Sequence, residues 1–216
     1  NTFCSRILLK NYYYKEKTFE QAEIKMQRVV IDNILQKNHL LNSMVSVLVS
    51  GDLSNQISVS CYAASHYNIP FFGVYSACAS FVESLIVAST LIESDKKGNA
   101  ICVTSSHNLN AEKQFRYPIE YGSQKPRTTT FTATGAVATY ISKEKSNIKI
   151  ESYTIGEVVD KGIKDASFMG AVMAPAAASV LVKHLEEMKR NVDYYDLILT
   201  GDLGCVGASI LKEYLK

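Results

Sequence analysis

The stretch GVYSACASFVESLIVAS, residues 73–89, places Cys78 between a short apolar run and a long apolar segment. With Pro70 ahead of it, "FFGVYS" reads as a strand that runs straight into a helix. Two readings of Cys78 stand open at this junction. Free cysteine is among the residue types most often buried, so Cys78 is first a small core residue. At a helix start, the unpaired backbone N–H groups and the macrodipole also favour a thiolate or an anionic ligand. The segment Ala79–Leu91 is apolar around nearly its whole circumference, which predicts a helix enclosed by protein on all sides. Glu83 in that helix then has to be paired or protonated, either through a structural hydrogen bond or through a ligand.

Outward from this segment, apolar runs alternate with amphipathic ones. Toward the N-terminus lie a short β-branched run, "MVSVLVS" (44–50), and a helix over "SNQISVSCYAASHYN" with Ser54 or Asn55 as its cap. Before them, Thr18 and Gln21 form a capping-box pattern at the head of an amphipathic helix, Thr18–Lys37. Toward the C-terminus come the strand "AICVTSS" (100–106) and a long polar, aromatic loop from His107 to Thr132. Two adjacent antiparallel strands, "ATGAVATYIS" and "IKIESYTI", follow. A helix with Pro175 near its first turn, a strand "YDLILT" and a last helix close the chain. That alternation predicts a layered α/β protein with a mainly parallel sheet.

Two segments share one design. "VSVLVSGDLSNQISVSCYAA" and "YYDLILTGDLGCVGASILKEY" each run from an apolar strand through Gly-Asp-Leu into a helix, with the triplets starting at Gly51 and Gly201. The echo divides the chain into residues 1–190, one nearly complete half with its long loop and crossover helix, and residues 191–216, the start of a pseudo-repeated second half. On this reading the second half is cut short and leaves apolar surface exposed.

Composition narrows the function classes. The formal charge is +2 over 216 residues, and no basic stripe interleaved with aromatics is present, which argues against nucleic acid as a partner. His39, His66, His107 and His184 are scattered, and no CxxC or HxxxH spacing points to a metal. Five cysteines at irregular spacing fit a reducing compartment. Residues 1–10 lack the apolar core of a signal peptide, and the apolar segment 77–92 carries Glu83 and is too short to span a bilayer.

These features together resemble the thiolase-like superfamily, two α/β halves in layered α-β-α-β-α order with a nucleophilic cysteine at the start of a buried helix. "SACASF" is similar to the nucleophile segment of its ketoacyl-synthase III branch, and "ATGAVATYI" to that branch's glycine-rich strand. A closer likeness, to sporulation proteins of endospore-forming bacteria within this superfamily, rests on "GDLSNQ", "IPFFGVYSACASFVESL", "TSSHNLNAEKQFRYPIEYGSQKPRTTTFTATGA", "IGEVVDKGIKDASFMGAVMAPAAA" and "TGDLGCVG".

The resemblance implies no cofactor. It implies dipicolinic acid, a small planar dianion, as ligand, membrane proteins of the same sporulation complex as partners, and a homodimer. The location it implies is cytoplasmic, at the periphery of the spore inner membrane. The ligand positions expected at the sheet edge where the Cys78 helix starts are Cys78, Ala79, Glu83, His107, Arg116 and Asp52. Arg116 suits a carboxylate by its bidentate fork, and a surface ion pair is its alternative. Asp52, like Asp202, is equally suited to cap a helix. Two other functions remain open: an acyl-CoA-dependent acyltransferase using Cys78, and a structural subunit of a spore membrane complex. Against the enzyme, Gly201–Gly204 holds no histidine where the superfamily places an acid/base partner, so Cys78 is expected to be a nucleophile-equivalent that does not catalyse.

Overall fold

The computed structural model describes residues 4–8, 11–94, 97–115, 126, 128–165 and 167–216, with backbone only at 4–8 and 114–115. The chain forms two compact units, one of residues 1–121 with 132–150 and one of residues 122–131 with 151–216. The boundary expected from the sequence at 190/191 is not where the compact units divide.

The first unit is a sandwich of helices about one sheet. Its strands are β1 (Cys4–Leu8), β2 (Leu48–Gly51), β3 (Phe71–Gly73), β4 (Asn99–Ser106) and β5 (Gly135–Ser142), in the order β1-β5-β4-β2-β3. The pairs β2/β3 and β2/β4 are parallel, while β5 runs antiparallel to both β4 and β1. Strand β1 is a finding the sequence reading lacked. It is laid down by pairing with the "ATGAVATYIS" strand, a long-range contact that local pattern does not encode.

The helices of this unit are α1 (Phe19–Lys37), α2 (Ser58–Ala64), α3 (Ser80–Glu93) and α4 (Asn108–Phe115). Strand alternation assigns the two faces. Leu48, Ile101 and Val103 pack with Met26, Val30, Ile31 and Ile34 of α1, and Val47, Val49, Ala100 and Cys102 pack with Ala88 and Ile92 of α3. Cys102 is a sealed core thiol. It donates to the Ser84 carbonyl oxygen at 3.3 Å, and burial pushes its pKa up to about 12. Helix α1 starts as the capping pattern predicts, with Thr18 Oγ1 accepting from the Gln21 N–H at 3.2 Å.

Four expectations are corrected in this unit. The sheet is mixed rather than mainly parallel, because β5 runs antiparallel to both of its neighbours. Helix α3 is not enclosed on all sides: Ser84, Ala88, Ser89 and Ile92 are buried, but Val82 is 54% exposed. An all-apolar circumference marks what a helix is able to bury, and the neighbours decide what it does bury. The segment after Ser54 opens with a tight turn, Asn55–Ile57, in which Gln56 and Ile57 take positive φ, so α2 begins only at Ser58. The long loop from His107 begins as helix α4, and residues 116–125 of it lie outside the described residues.

The second unit contains α5 (Met169–Met188) and α6 (Gly204–Tyr214). Helix α5 starts upstream of the predicted position, so Pro175 sits inside it rather than at its first turn and removes one intrahelical donor. The two helices meet where Gly170 faces Gly207. A Cβ built on Gly170 would fall 2.2 Å from the Leu203 carbonyl oxygen, and one on Gly207 would fall 2.8 Å from the Gly170 Cα. Among the described residues, neither "IKIESYTI" nor "YDLILT" forms a strand. Leu197 and Leu199 are 71% and 81% exposed. Strand-forming composition gives no ladder without a neighbour to pair with.

Candidate functional site

The parallel strands β2, β3 and β4 point their C-terminal ends to one sheet edge, the edge at which ligands collect in open α/β sheets. Cys78 stands there, between β3 and α3. It is exposed and free, so the reading of it as a small core residue is set aside. The turn that presents it is strained. Ala77 has φ +46°, a left-handed conformation that costs a residue with a Cβ about 1–2 kcal/mol. Such strain persists only where surroundings over-determine it, and it clusters at functional sites. Two contacts do this here. The Ser76 N–H donates to Ser80 Oγ at 3.0 Å, and Gly51 lies so close to Val74 that an added Cβ would be 2.6 Å from the Val74 oxygen.

The turn also alters the anion site expected at the helix start. The Ala79 N–H donates to the Ser76 carbonyl oxygen at 2.9 Å, and the Ser80 N–H to the Ala77 oxygen, so these two donors are engaged within the chain. Ala79 therefore contributes position rather than a free N–H. Glu83 is half-buried on α3, and its Oε2 is enclosed without a hydrogen-bond partner among the described residues.

His107 follows β4 directly, and its side chain is fully buried. Its ring stacks on Phe19 with centroids 5.0 Å apart, and Nε2 meets the Tyr12 carbonyl oxygen at 2.7 Å. A carbonyl accepts only, so Nε2 carries the proton. Burial first of all lowers the imidazole pKa, which keeps the ring neutral near pH 7. His107 is thus committed to α1 and to the segment before it.

Asp52 is 1% exposed, and both its oxygens are taken by backbone. Oδ1 accepts the Ser54 N–H and Oδ2 the Ser60 N–H, each at 2.7 Å. Of the two roles open to it, the structure shows the cap, and it displaces Ser54 and Asn55 from that role at the head of α2. Arg116 lies outside the described residues.

A set of buried polar groups at this same edge escaped the sequence reading. Glu23 and Gln27, on consecutive turns of α1, point into the sheet ends and are 1% and 0% exposed. Glu23 accepts from Ser105 Oγ at 2.8 Å and from Asn110 Nδ2 at 3.0 Å, and the same Asn110 amide donates to Ser54 Oγ at 2.9 Å. Gln27 donates to Ser60 and Ser105 and accepts from Ser50. The available signal was polar residues on the buried stripe of α1, between Ala22 and Met26 and again before Val30.

No helix among the described residues is long and apolar enough to cross a membrane, and no group of three or more metal-ligating side chains is found among them.

Comparison with solved structures agrees with this geometry. The chain is similar to 3-oxoacyl-[acyl-carrier-protein] synthase III from Aquifex aeolicus, with TM-score 0.63, 16% identity, and 93% of this chain and 67% of that one covered. It is likewise similar to a single-residue variant of Xanthomonas campestris OleA bound with cerulenin, with TM-score 0.65, 14% identity, and 89% and 62% covered. The fold is therefore thiolase-like, of the ketoacyl-synthase III kind.

In sequence, the chain is 45% identical over 201 residues to stage V sporulation protein AD of Bacillus subtilis (strain 168), covering 93% of this chain and 60% of that protein. It thus spans about three-fifths of its relative's length. The family profile for stage V sporulation protein AD (SpoVAD) matches residues 4–216. A thiolase-like sheet, a cysteine at the head of α3 and this match along the chain have one joint conclusion: the chain belongs to the stage V sporulation protein AD family.

Proposed function

We propose that the chain is a thiolase-fold sporulation protein that binds dipicolinic acid and takes part in its uptake into the developing spore, with Cys78 kept at the nucleophile position as a binding residue. The observation that carries the reading is the company of Cys78. The exposed thiol sits on a strained turn at the ligand edge of the sheet, while His107, which follows β4, is enclosed by Phe19 and hydrogen-bonded to Tyr12. Acyl transfer needs a thiolate together with an acid/base partner, and binding a planar dianion does not. In this reading one carboxylate meets the Cys78 turn and the other meets Arg116. The edge strand β3, with Phe71 and Phe72 exposed, offers a second copy a surface, and membrane proteins of the same sporulation complex are the further partners.

Calorimetry with dipicolinate on the full-length protein tests this. Arg116→Ala is expected to weaken binding by roughly thirty- to a hundred-and-fifty-fold, the equivalent of about 2–3 kcal/mol for a buried charged hydrogen bond. Equal affinity for wild type, Arg116→Ala and Cys78→Phe would place the pocket elsewhere. The second reading, an acyl-CoA-dependent acyltransferase, draws support from the ketoacyl-synthase-like fold and the exposed Cys78. Incubation with acyl-CoA followed by intact-mass measurement separates the two. No stable adduct is expected, and an adduct lost in Cys78→Ala would favour the enzyme.

A further inference from the structure

We propose that Glu23 is a proton-operated positioning residue for the loop Gly51–Ser54: neutral, it lets the loop sit closed beside β4 and α4, and ionised, it loosens the loop. The carboxyl group is 1% exposed, and its hydrogen-bond donors among the described residues, Ser105 and Asn110, are both neutral. A buried carboxylate without a cation is costly, and protonation relieves that cost.

The network is built to take the proton. Asn110 donates through Nδ2 to both Glu23 Oε2 and Ser54 Oγ. Turning that amide over presents its oxygen to a Glu23 O–H and a Ser54 O–H instead, with the heavy atoms left in place. Both protonation states of Glu23 therefore find partners, but only the ionised one sets a second negative charge beside Asp52.

Among the described residues, few charged and titratable groups surround Glu23. Asp52 on the loop and Glu20 one turn earlier on α1 both disfavour its ionised form. Glu20 is paired with Lys113 of α4 at 3.0 Å, which offsets part of its effect. Glu112, two residues after Asn110 on α4, is buried, and His107 after β4 is held neutral by burial. The carboxyl pKa is accordingly pushed up to about 7, with desolvation the largest cause.

Asp52 is what the added charge acts on. It holds the loop by accepting the Ser54 and Ser60 N–H groups. Gly51, the first residue of that loop, packs against Val74 and Ser80 on either side of Cys78. A loop that loosens above neutral pH therefore relaxes the support of the Cys78 turn. Its consequence, weaker anion binding at alkaline pH, rests on the dipicolinate reading above.

The test uses the whole chain and no ligand. Carboxyl-carbon NMR of wild type should show Glu23 titrating at about pH 7, and a midpoint below about 5.5 overturns the proposal. Hydrogen-exchange protection factors at the Ser54 and Ser60 amides should fall about tenfold between about pH 6 and pH 8.5 in wild type and stay level in Glu23→Gln. Parallel profiles in the two proteins also overturn it. The NMR arm needs no variant, so it stands even where Glu23→Gln folds poorly. Dipicolinate calorimetry on the same samples reports separately on the ligand reading, whose failure leaves both of these measurements in force.

Discussion

The two Gly-Asp-Leu loops share a tripeptide and one local hydrogen bond but differ in everything around it. In the first, Asp52 accepts the N–H two residues on, from Ser54, at 2.7 Å; in the second, Asp202 accepts from Gly204 at 2.9 Å. There the likeness stops. Asp52 follows a paired strand, is 1% exposed and spends its other oxygen on Ser60. Asp202 is exposed and follows Leu197–Thr200, which pairs with no strand among the described residues. The turn is therefore a property of the tripeptide, since an Asp side chain reaches its own backbone two residues later in any context. Strand and burial are properties of neighbours.

The sharpest way to separate the two loops is to remove each carboxylate in turn. Asp52→Ala leaves two buried N–H groups, those of Ser54 and Ser60, without acceptors. At about 1–3 kcal/mol for each unsatisfied group, the expected loss is about 3–4 kcal/mol in a urea melt of the first unit. A loss below about 1 kcal/mol would erase the distinction between the loops.

The second difference is titratable. Only the first loop has a buried acid beside it among the described residues, Glu23, whose pKa is raised from 4.5 to about 7 by desolvation. The folded protein holds this proton more tightly than the unfolded chain. Between about pH 4.5 and 7 the unfolded state has released it and the folded state has not, so stability falls as pH rises and levels off above the folded pKa. The expected loss is on the order of 2–4 kcal/mol across that window. His107, with its lowered pKa, acts in the opposite sense, costing stability as pH falls below its unfolded value. The difference between wild type and Glu23→Gln cancels the histidine and isolates the acid. A flat difference curve would show that Glu23 ionises as an ordinary surface carboxylate does.

How much of this was legible in the sequence follows the same division. The start of α1 was, because Thr18 and the Gln21 N–H are three residues apart and need nothing else. The layered fold and the place of Cys78 were legible too, through hydrophobic periodicity and the motif around the cysteine. What failed depended on distant partners. The strand β1 exists through β5, and "YDLILT" is no strand because no described residue pairs with it. Asp52 reaches Ser60 past the residues that looked like the cap, and His107 turns to Tyr12, which is 95 residues away in sequence. The Glu23 network joins α1 to residues more than 80 positions away, Ser105 and Asn110, and no local pattern marks such a meeting.

In the second unit the tight element is a glycine pair rather than a carboxylate. Gly170→Ala would drive a Cβ against the backbone of Leu203, the residue that leads into α6. Backbone cannot swing aside as a side chain does, so the helices have to separate. The expected cost is about 1–3 kcal/mol, read as lowered exchange protection along α5 and α6. Unchanged protection would mean that the second loop is anchored by something other than this contact.

The smallest effect expected is at Asp202 itself. Its carboxylate is exposed, and the N–H it holds, that of Gly204, is reached by water when the side chain is gone. Gly204 takes φ +61°, a conformation that glycine adopts without strain, so the turn keeps its backbone even without the bond. Asp202→Ala should therefore cost no more than about 0.5–1 kcal/mol, the lower part of the range for lost helix caps. Exchange at the Gly204 amide is the direct readout, with a fewfold rise expected there and none in the middle of α6. A loss as large as that of Asp52→Ala would mean that the second loop is as deeply engaged as the first, and the contrast between them would fall.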